Sequence, residues 1–170
     1  MKKTSLFLIM IPLYCLTGCL KDTPAVDFST VGTIIEILPP NGGAENFDGA
    51  ALDFDPSETL DSMSIVVNIA APKPLGKPLT VTFGLTDSAR TAYNIANGDD
   101  YMVMPDSDYS FPVRTVTIPA GHHLDTLQVY FYPSRIDSTQ SYMLPISITD
   151  AQKQPISGNF STVYFHYDAP

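Results

Sequence analysis

The chain has 170 residues, of which 9 are basic and 18 acidic, with a formal net charge of −9, two cysteines and no tryptophan. A surface this acidic repels nucleic acid and anionic headgroups, and nucleic acid is not an expected partner. Two cysteines are too few for a disulfide scaffold, so stability has to come from a hydrophobic core, for which the length suffices.

Lys2-Lys3 make a positive n-region, Leu6 to Leu16 an apolar h-region, and Leu16-Thr17-Gly18-Cys19 follows at once. The apolar run falls below the roughly 20 residues that a spanning helix needs. Residues 1–18 are therefore expected to be a signal peptide rather than a membrane anchor. Leu16-Thr17-Gly18-Cys19 resembles a bacterial lipobox, which implies lipidation of Cys19 and cleavage before it. Two or more acyl chains hold a protein stably on a membrane, whereas one binds only marginally. Cleavage removes Cys15, Lys2 and Lys3, so the mature chain would carry no free thiol and be more acidic still.

Residues 19–30 are polar and unpatterned and read as a lipidated tether, and residues 31–168 as a single β-sandwich domain. Thr33 to Leu38 is a first strand, stopped by Pro39-Pro40-Asn41-Gly42-Gly43. Ala44 to Thr59 is acidic and irregular, with a short edge strand at Ala51 to Phe54. Asp61 to Ala71 follows, with Met63, Ile65, Val67 and Ile69 on one face, and Leu79 to Thr86 places Leu79, Val81, Phe83 and Leu85 together. Ser88 to Asn94 reads as one or two helical turns, capped by Asp87 or Ser88 and stopped at Asn97-Gly98. Asp99 to Phe111 is a connection rich in Tyr and Asp.

Val113 to Thr149 carries the clearest alternation. Val116 and Ile118 alternate with threonines; Leu127, Val129 and Phe131 alternate with Gln128, Tyr130 and Tyr132; Tyr142, Leu144, Ile146 and Ile148 alternate with Met143, Pro145, Ser147 and Thr149. Ser161 to Tyr167 closes the series. Alternation punctuated by Gly and Pro predicts antiparallel sheet with one buried and one wet face. The expected fold is all-β: an immunoglobulin-like antiparallel two-sheet sandwich of about seven strands with at most one short helix.

Tyr93-Asn94, Tyr101, Met104-Pro105, Tyr109, Val116-Thr117-Ile118-Pro119-Ala120-Gly121 and Tyr142-Met143-Leu144-Pro145-Ile146 stand in that order. The set resembles the domain of unknown function that forms the N-terminal module of many Bacteroidota surface lipoproteins. In some of these it precedes a glycosidase or a glycan-binding domain. The resemblance implies an immunoglobulin-like sandwich, an outer-membrane location and a role around glycan capture, and it supplies no catalytic residue. The chain stops at Asp168-Ala169-Pro170, straight after the last strand, so it is expected to act as a stand-alone domain.

No G-x-S-x-G, H-E-x-x-H or Gly-rich phosphate loop is present, and the chain reads as a non-enzyme that needs no cofactor. His122-His123 follows Pro-Ala-Gly and reads as the decoration of a hairpin turn, with His166 the one remaining imidazole. Asp99, Asp100, Asp106 and Asp108 bracket one connection, and Asp53 and Asp55 lie in another. Calcium takes six to eight oxygen ligands, so these loops are candidate calcium ligands, set against the plainer reading of a solvated acidic loop. Tyr130 and Tyr132, with Gln128, form the candidate glycan platform, because outward rings two residues apart stack on sugar faces. Thr115, Thr117, Ser147 and Thr149 would add hydroxyls if their strands lie alongside. The plainer reading is that tyrosine simply suits a half-buried strand.

The expected function is therefore a non-catalytic, lipid-anchored outer-membrane protein at the cell surface, accessory to glycan capture. Its partners would be the membrane, polysaccharide and other outer-membrane glycan-uptake proteins. The alternative is a structural or adhesive module that makes only protein–protein contacts.

Overall fold

Alternate residues of the strands turn into one shared core and bring two sheets face to face in the computed structural model, which describes residues 32–39 and 49–170. The expected signal peptide, Cys19 and the tether over residues 19–30 lie outside the described residues. In chain order the strands are β1 (Ile34–Leu38), β2 (Ala50–Ala51), β3 (Asp61–Ala70), β4 (Leu79–Leu85), β5 (Met102–Val103), β6 (Tyr109–Ser110), β7 (Thr115–Ile118), β8 (Leu124–Phe131), β9 (Tyr142–Asp150) and β10 (Thr162–Tyr167). Helix α1 (Asp87–Asn97) follows β4. One sheet runs β1-β3-β8-β6 and the other β2-β10-β9-β4-β7, with β5 also paired to β9. Among the described residues seven strands have four or more residues, and the other three are two-residue pairings. The fold is an immunoglobulin-like two-sheet sandwich. Among the described residues its strand pairings are antiparallel apart from β2 on β10 and β5 on β9, and an isolated parallel bridge joins Ile35 to Ile156.

Ile65, Val67 and Ile69 of β3 and Leu127, Val129 and Phe131 of β8 face Val81, Phe83, Leu144, Ile146, Val163 and Phe165 of the other sheet. Phe131 joins the layers: its ring lies 5.5 Å from that of Phe165 and 5.4 Å from that of Phe54. Each such side chain contributes about 1.5–3 kcal/mol by leaving water.

Two expectations need correction. The helix is longer than one or two turns, and its N-cap is Thr86, with no side-chain capping bond, rather than Asp87 or Ser88. Asp87 instead accepts from the Arg90 side chain at 2.7 Å. The end is as expected, for Gly98 takes a left-handed φ of 77° and its N–H reaches the Asn94 carbonyl. The second concerns β9, which has no wet face along most of its length. Tyr142 to Ile148 are all buried, and Met143 has 0 % exposure although it points away from the shared core. Helix α1 packs on that face, a tertiary effect that period-2 alternation does not report, while β5 pairs with β9 along its edge.

The register sorts the connections to two ends. Ile34 pairs with Ala70, Leu124 with Asn68 and Leu79 with Ile118. The start of β1, the turn 71–78, the turn 119–123 and the connection 151–161 therefore share one end. The connection 86–114, the segment 132–141 and the C-terminal residues lie at the other, where Tyr109 pairs with Phe131 and Tyr167 with Tyr142.

Candidate site beside Tyr130

Because Leu127, Val129 and Phe131 turn inward, Gln128 and Tyr130 stand on the outer face of the β1-β3-β8-β6 sheet. Tyr130 pairs across the sheet with Ser62 on one side and Ser110 on the other, and Gln128 pairs with Ser64. The Gln128 amide Nε2 donates to Ser64 Oγ at 2.7 Å, which fixes the amide plane. On its other edge, among the described residues, β8 pairs with just the two residues of β6, so the strand is unpaired ahead of Tyr130, with β7 lying close by in the other sheet. A shallow concavity of about 260 Å³ occupies that edge, lined by Pro112, Val113, Thr115, Thr126, Leu127, Gln128 and Tyr130.

Tyr132 does not extend this surface. The strand ends at Phe131, and Tyr132 leads into a 3₁₀ turn at Pro133–Arg135. Its N–H donates to the Asp108 carbonyl at 2.8 Å, and the Arg135 guanidinium lies 4.2 Å from its ring centroid. Of the hydroxyl-bearing neighbours expected from alternation, only Thr115 reaches the concavity. Thr117, Ser147 and Thr149 belong to the other sheet, where Thr117 meets Thr80, Ser147 meets Thr162 and Thr149 donates to the Thr82 carbonyl. Ser62, Ser64 and Ser110, which sequence reasoning missed, take their place. Nothing in the sequence pairs β3 with β8 across an intervening stretch of more than fifty residues, so no local signal identifies them.

The four candidate calcium ligands are not gathered. Among the described residues no three His, Cys, Asp or Glu side chains converge to hold an ion. Asp99 is exposed after α1, and Asp100 lines a separate polar concavity with Thr139, Gln140 and Ser141. Asp106 accepts the Tyr109 hydroxyl at 2.8 Å, and the buried Asp108 accepts from Ser107 Oγ at 2.7 Å. Burial, and then the bond to Asp106, push the Tyr109 phenol up to about 12. Asp55 turns onto Ser57, whose hydroxyl and backbone N–H hold its carboxyl below the usual carboxylate range.

The histidines are dispersed too. His122 is exposed in its turn, and His123 lies 2.8 Å from the Ile69 carbonyl through Nδ1. His166 sits at the opposite end, where the Asp168 carboxylate accepts the Tyr101 hydroxyl at 2.6 Å and lies 3.0 Å from His166 Nδ1. Burial above all, with the Asp168 carboxylate next, raises the Tyr101 phenol well above its ordinary value. Tyr101 therefore stays protonated and acts as a donor. It ties the long connection to β10, helped by its ring contacts to Tyr93 and His166 and by Arg90 and Asn94, which donate to its carbonyl.

Comparison with solved structures agrees with this architecture. A candidate carbohydrate binding protein from Bacteroides ovatus superposes with a TM-score of 0.62 at 15% identity, over 81% of this chain and 37% of that one. A second Bacteroides ovatus protein of unknown function gives 0.64 at 19% identity, over 79% and 46%. A two-domain protein of unknown function from Bacteroides fragilis gives 0.59 at 14%, over 81% and 45%. The chain thus spans less than half the length of these proteins, and the likeness is one of fold. No curated protein matches the sequence. A family model does: the one described as "-like, N-terminal domain" matches residues 40–155, more than half of the chain, and the chain belongs to that N-terminal-domain family.

Proposed function

We propose that the protein is a non-catalytic outer-membrane lipoprotein, anchored through Cys19 and exposed at the cell surface, whose domain assists glycan capture through the concavity beside Tyr130. The observation that carries this reading is the composition of that concavity. One half-exposed ring, a fixed amide and the hydroxyls of Thr115 and Thr126 line an open strand edge, with Pro112 and Val113 as apolar walls. Sugars are bound in this way: a ring stacks on the C–H face while amides and hydroxyls orient the hydroxyl groups. The likeness to a candidate carbohydrate binding protein supports it at the level of fold.

A single ring gives weak binding, so affinity between roughly millimolar and tens of micromolar is expected, about 4–7 kcal/mol. Many anchored copies on one surface then act together. The test is a native affinity gel over a panel of polysaccharides. A glycan that retards the wild type and fails to retard Tyr130→Ala supports the site; no retardation by any glycan rejects it. For the anchor, Cys19→Ala should move the protein from the membrane fraction to the soluble one, and retention in the membrane would reject lipidation.

The same unpaired edge of β8 supports a second reading, in which an extended partner segment pairs with the strand and the module makes only protein contacts. That reading predicts binding that survives Tyr130→Ala and is lost when Pro interrupts the β8 edge.

A further inference from the structure

The net charge averages over two unlike ends. Lys73 and Lys77 lie in the turn 71–78 and Lys153 in the connection 151–161; these are all the lysines among the described residues, and each is exposed. Neither of these segments contains Asp or Glu, and nor does the turn 119–123 beside them. Hydrogen bonds knit the three together. Gly121 N–H reaches the Leu75 carbonyl at 2.9 Å, Thr80 N–H at the start of β4 reaches Gln152 Oε1 at 3.2 Å, and Lys77 and Gln152 share the lining of a concavity of about 330 Å³. The nearest carboxylates along the chain are turned onto the backbone, Asp125 to the Thr126 N–H and Asp150 to the Gln152 N–H.

The opposite end is the reverse. It holds Asp53 to Glu58, Asp99-Asp100 and Asp106 to Asp108, and its cations are engaged within the fold. Arg90 pairs with Asp87, Arg114 lies over Phe111 and Arg135 over Tyr132. Among the described residues no carboxylate forms a salt bridge with Lys73, Lys77 or Lys153. The lysine end also exposes Ile34, Leu124 and Ile156. The chain enters β1 at Ile34, beside Ala70 and the Pro155 carbonyl that accepts from Ile35, so the N-terminal segment joins the domain here.

We infer that this end is a lipid-facing foot, on which Lys73, Lys77 and Lys153 engage the phosphates of an anionic membrane surface while Ile34, Leu124 and Ile156 settle against its interface. Amphipathic lysines beside exposed aliphatic side chains suit the headgroup boundary, where the stems bury and the ammonium groups stay wet. The acidic end then points outward, and the Tyr130 concavity lies on the flank between the two. The inference rests on the lipid anchor for the nearness of a membrane, and it is independent of glycan binding.

The experiment compares the full chain with a Lys73→Gln, Lys77→Gln, Lys153→Gln variant by co-sedimentation with phosphatidylcholine vesicles, with and without phosphatidylglycerol. Each lysine held near an anionic surface contributes roughly five-fold, so the three should give the wild type a gain of about a hundred-fold on the anionic vesicles. High salt should erase the gain, because exposed charges are screened. The variant should lose it at low salt while binding neutral vesicles as before. An equal gain in the variant, or none in the wild type, overturns the inference. Soluble polygalacturonate serves as the rival probe: lysine-dependent binding to it without a gain on vesicles would assign this end to an acidic glycan. Cys19→Ala fractionation is read separately, so a failed anchor and a failed foot give different results.

Discussion

The Arg135 guanidinium lies over the Tyr132 ring, 4.2 Å from its centroid, and so takes the face that a sugar would need. Tyr130 and Tyr132, two residues apart, therefore have different roles. Tyr132→Ala should leave glycan retardation unchanged and cost about 0.5–1 kcal/mol of stability through the lost cation–π contact. Tyr130→Ala should abolish retardation and cost little stability. Affinity gels and urea melts of the two variants check this, and equal loss of retardation in both would return Tyr132 to the site.

Phe131, one residue along, has 0 % exposure and touches the rings of Phe54 and Phe165. Phe131→Ala removes the largest buried side chain of β8 and leaves a cavity between the sheets, at a cost of about 3–5 kcal/mol. A urea melt in which Tyr130→Ala costs more than Phe131→Ala would mean that the strand has the opposite register.

Gly49 sits at a φ of 90°, and a Cβ there would meet the Tyr164 carbonyl at 2.8 Å and His166 Cδ2 at 2.7 Å. Only glycine lets the backbone pass this close before β2 pairs with β10. Gly49→Ala should cost about 1–3 kcal/mol through strain and displacement of β2. Hydrogen exchange should show faster exchange at Leu52, whose N–H reaches the His166 carbonyl. Wild-type protection at Leu52 would refute the displacement.

Tyr109 gives a pH signature. Its folded phenol titrates at about 12 against an ordinary value of 10.0. Below pH 10 the folded and unfolded chains both keep the proton, and the contribution to stability is whole. As pH rises past 10 the unfolded chain releases the proton while the folded chain holds it, so stability falls until the folded group titrates too. Tyr109→Phe should therefore show a shallower fall in Tm across that interval, together with a small constant loss below it from the bond to Asp106. Parallel curves for the two proteins would exclude the coupling.

The lesson of β8 and β9 is where sequence reading stops. Leu127, Val129 and Phe131 against Gln128 and Tyr130 declare which face is buried, because side chains alternate strictly along a strand and only one set can leave water. The same reasoning settled the all-β class, the seven principal strands and the Gly98 helix stop. It did not reach Tyr132, for alternation assumes that the strand continues and a 3₁₀ turn ends it one residue earlier. Nor did it reach Met143, whose face is packed against by a helix distant in the chain. Which serines stand beside Tyr130 and Gln128, and that every described lysine shares one end while the arginines hold the other, depend on strand order and register. Those are properties of pairings between distant segments. Local pattern decides what each strand buries; the packing of strand against strand decides what stands beside it.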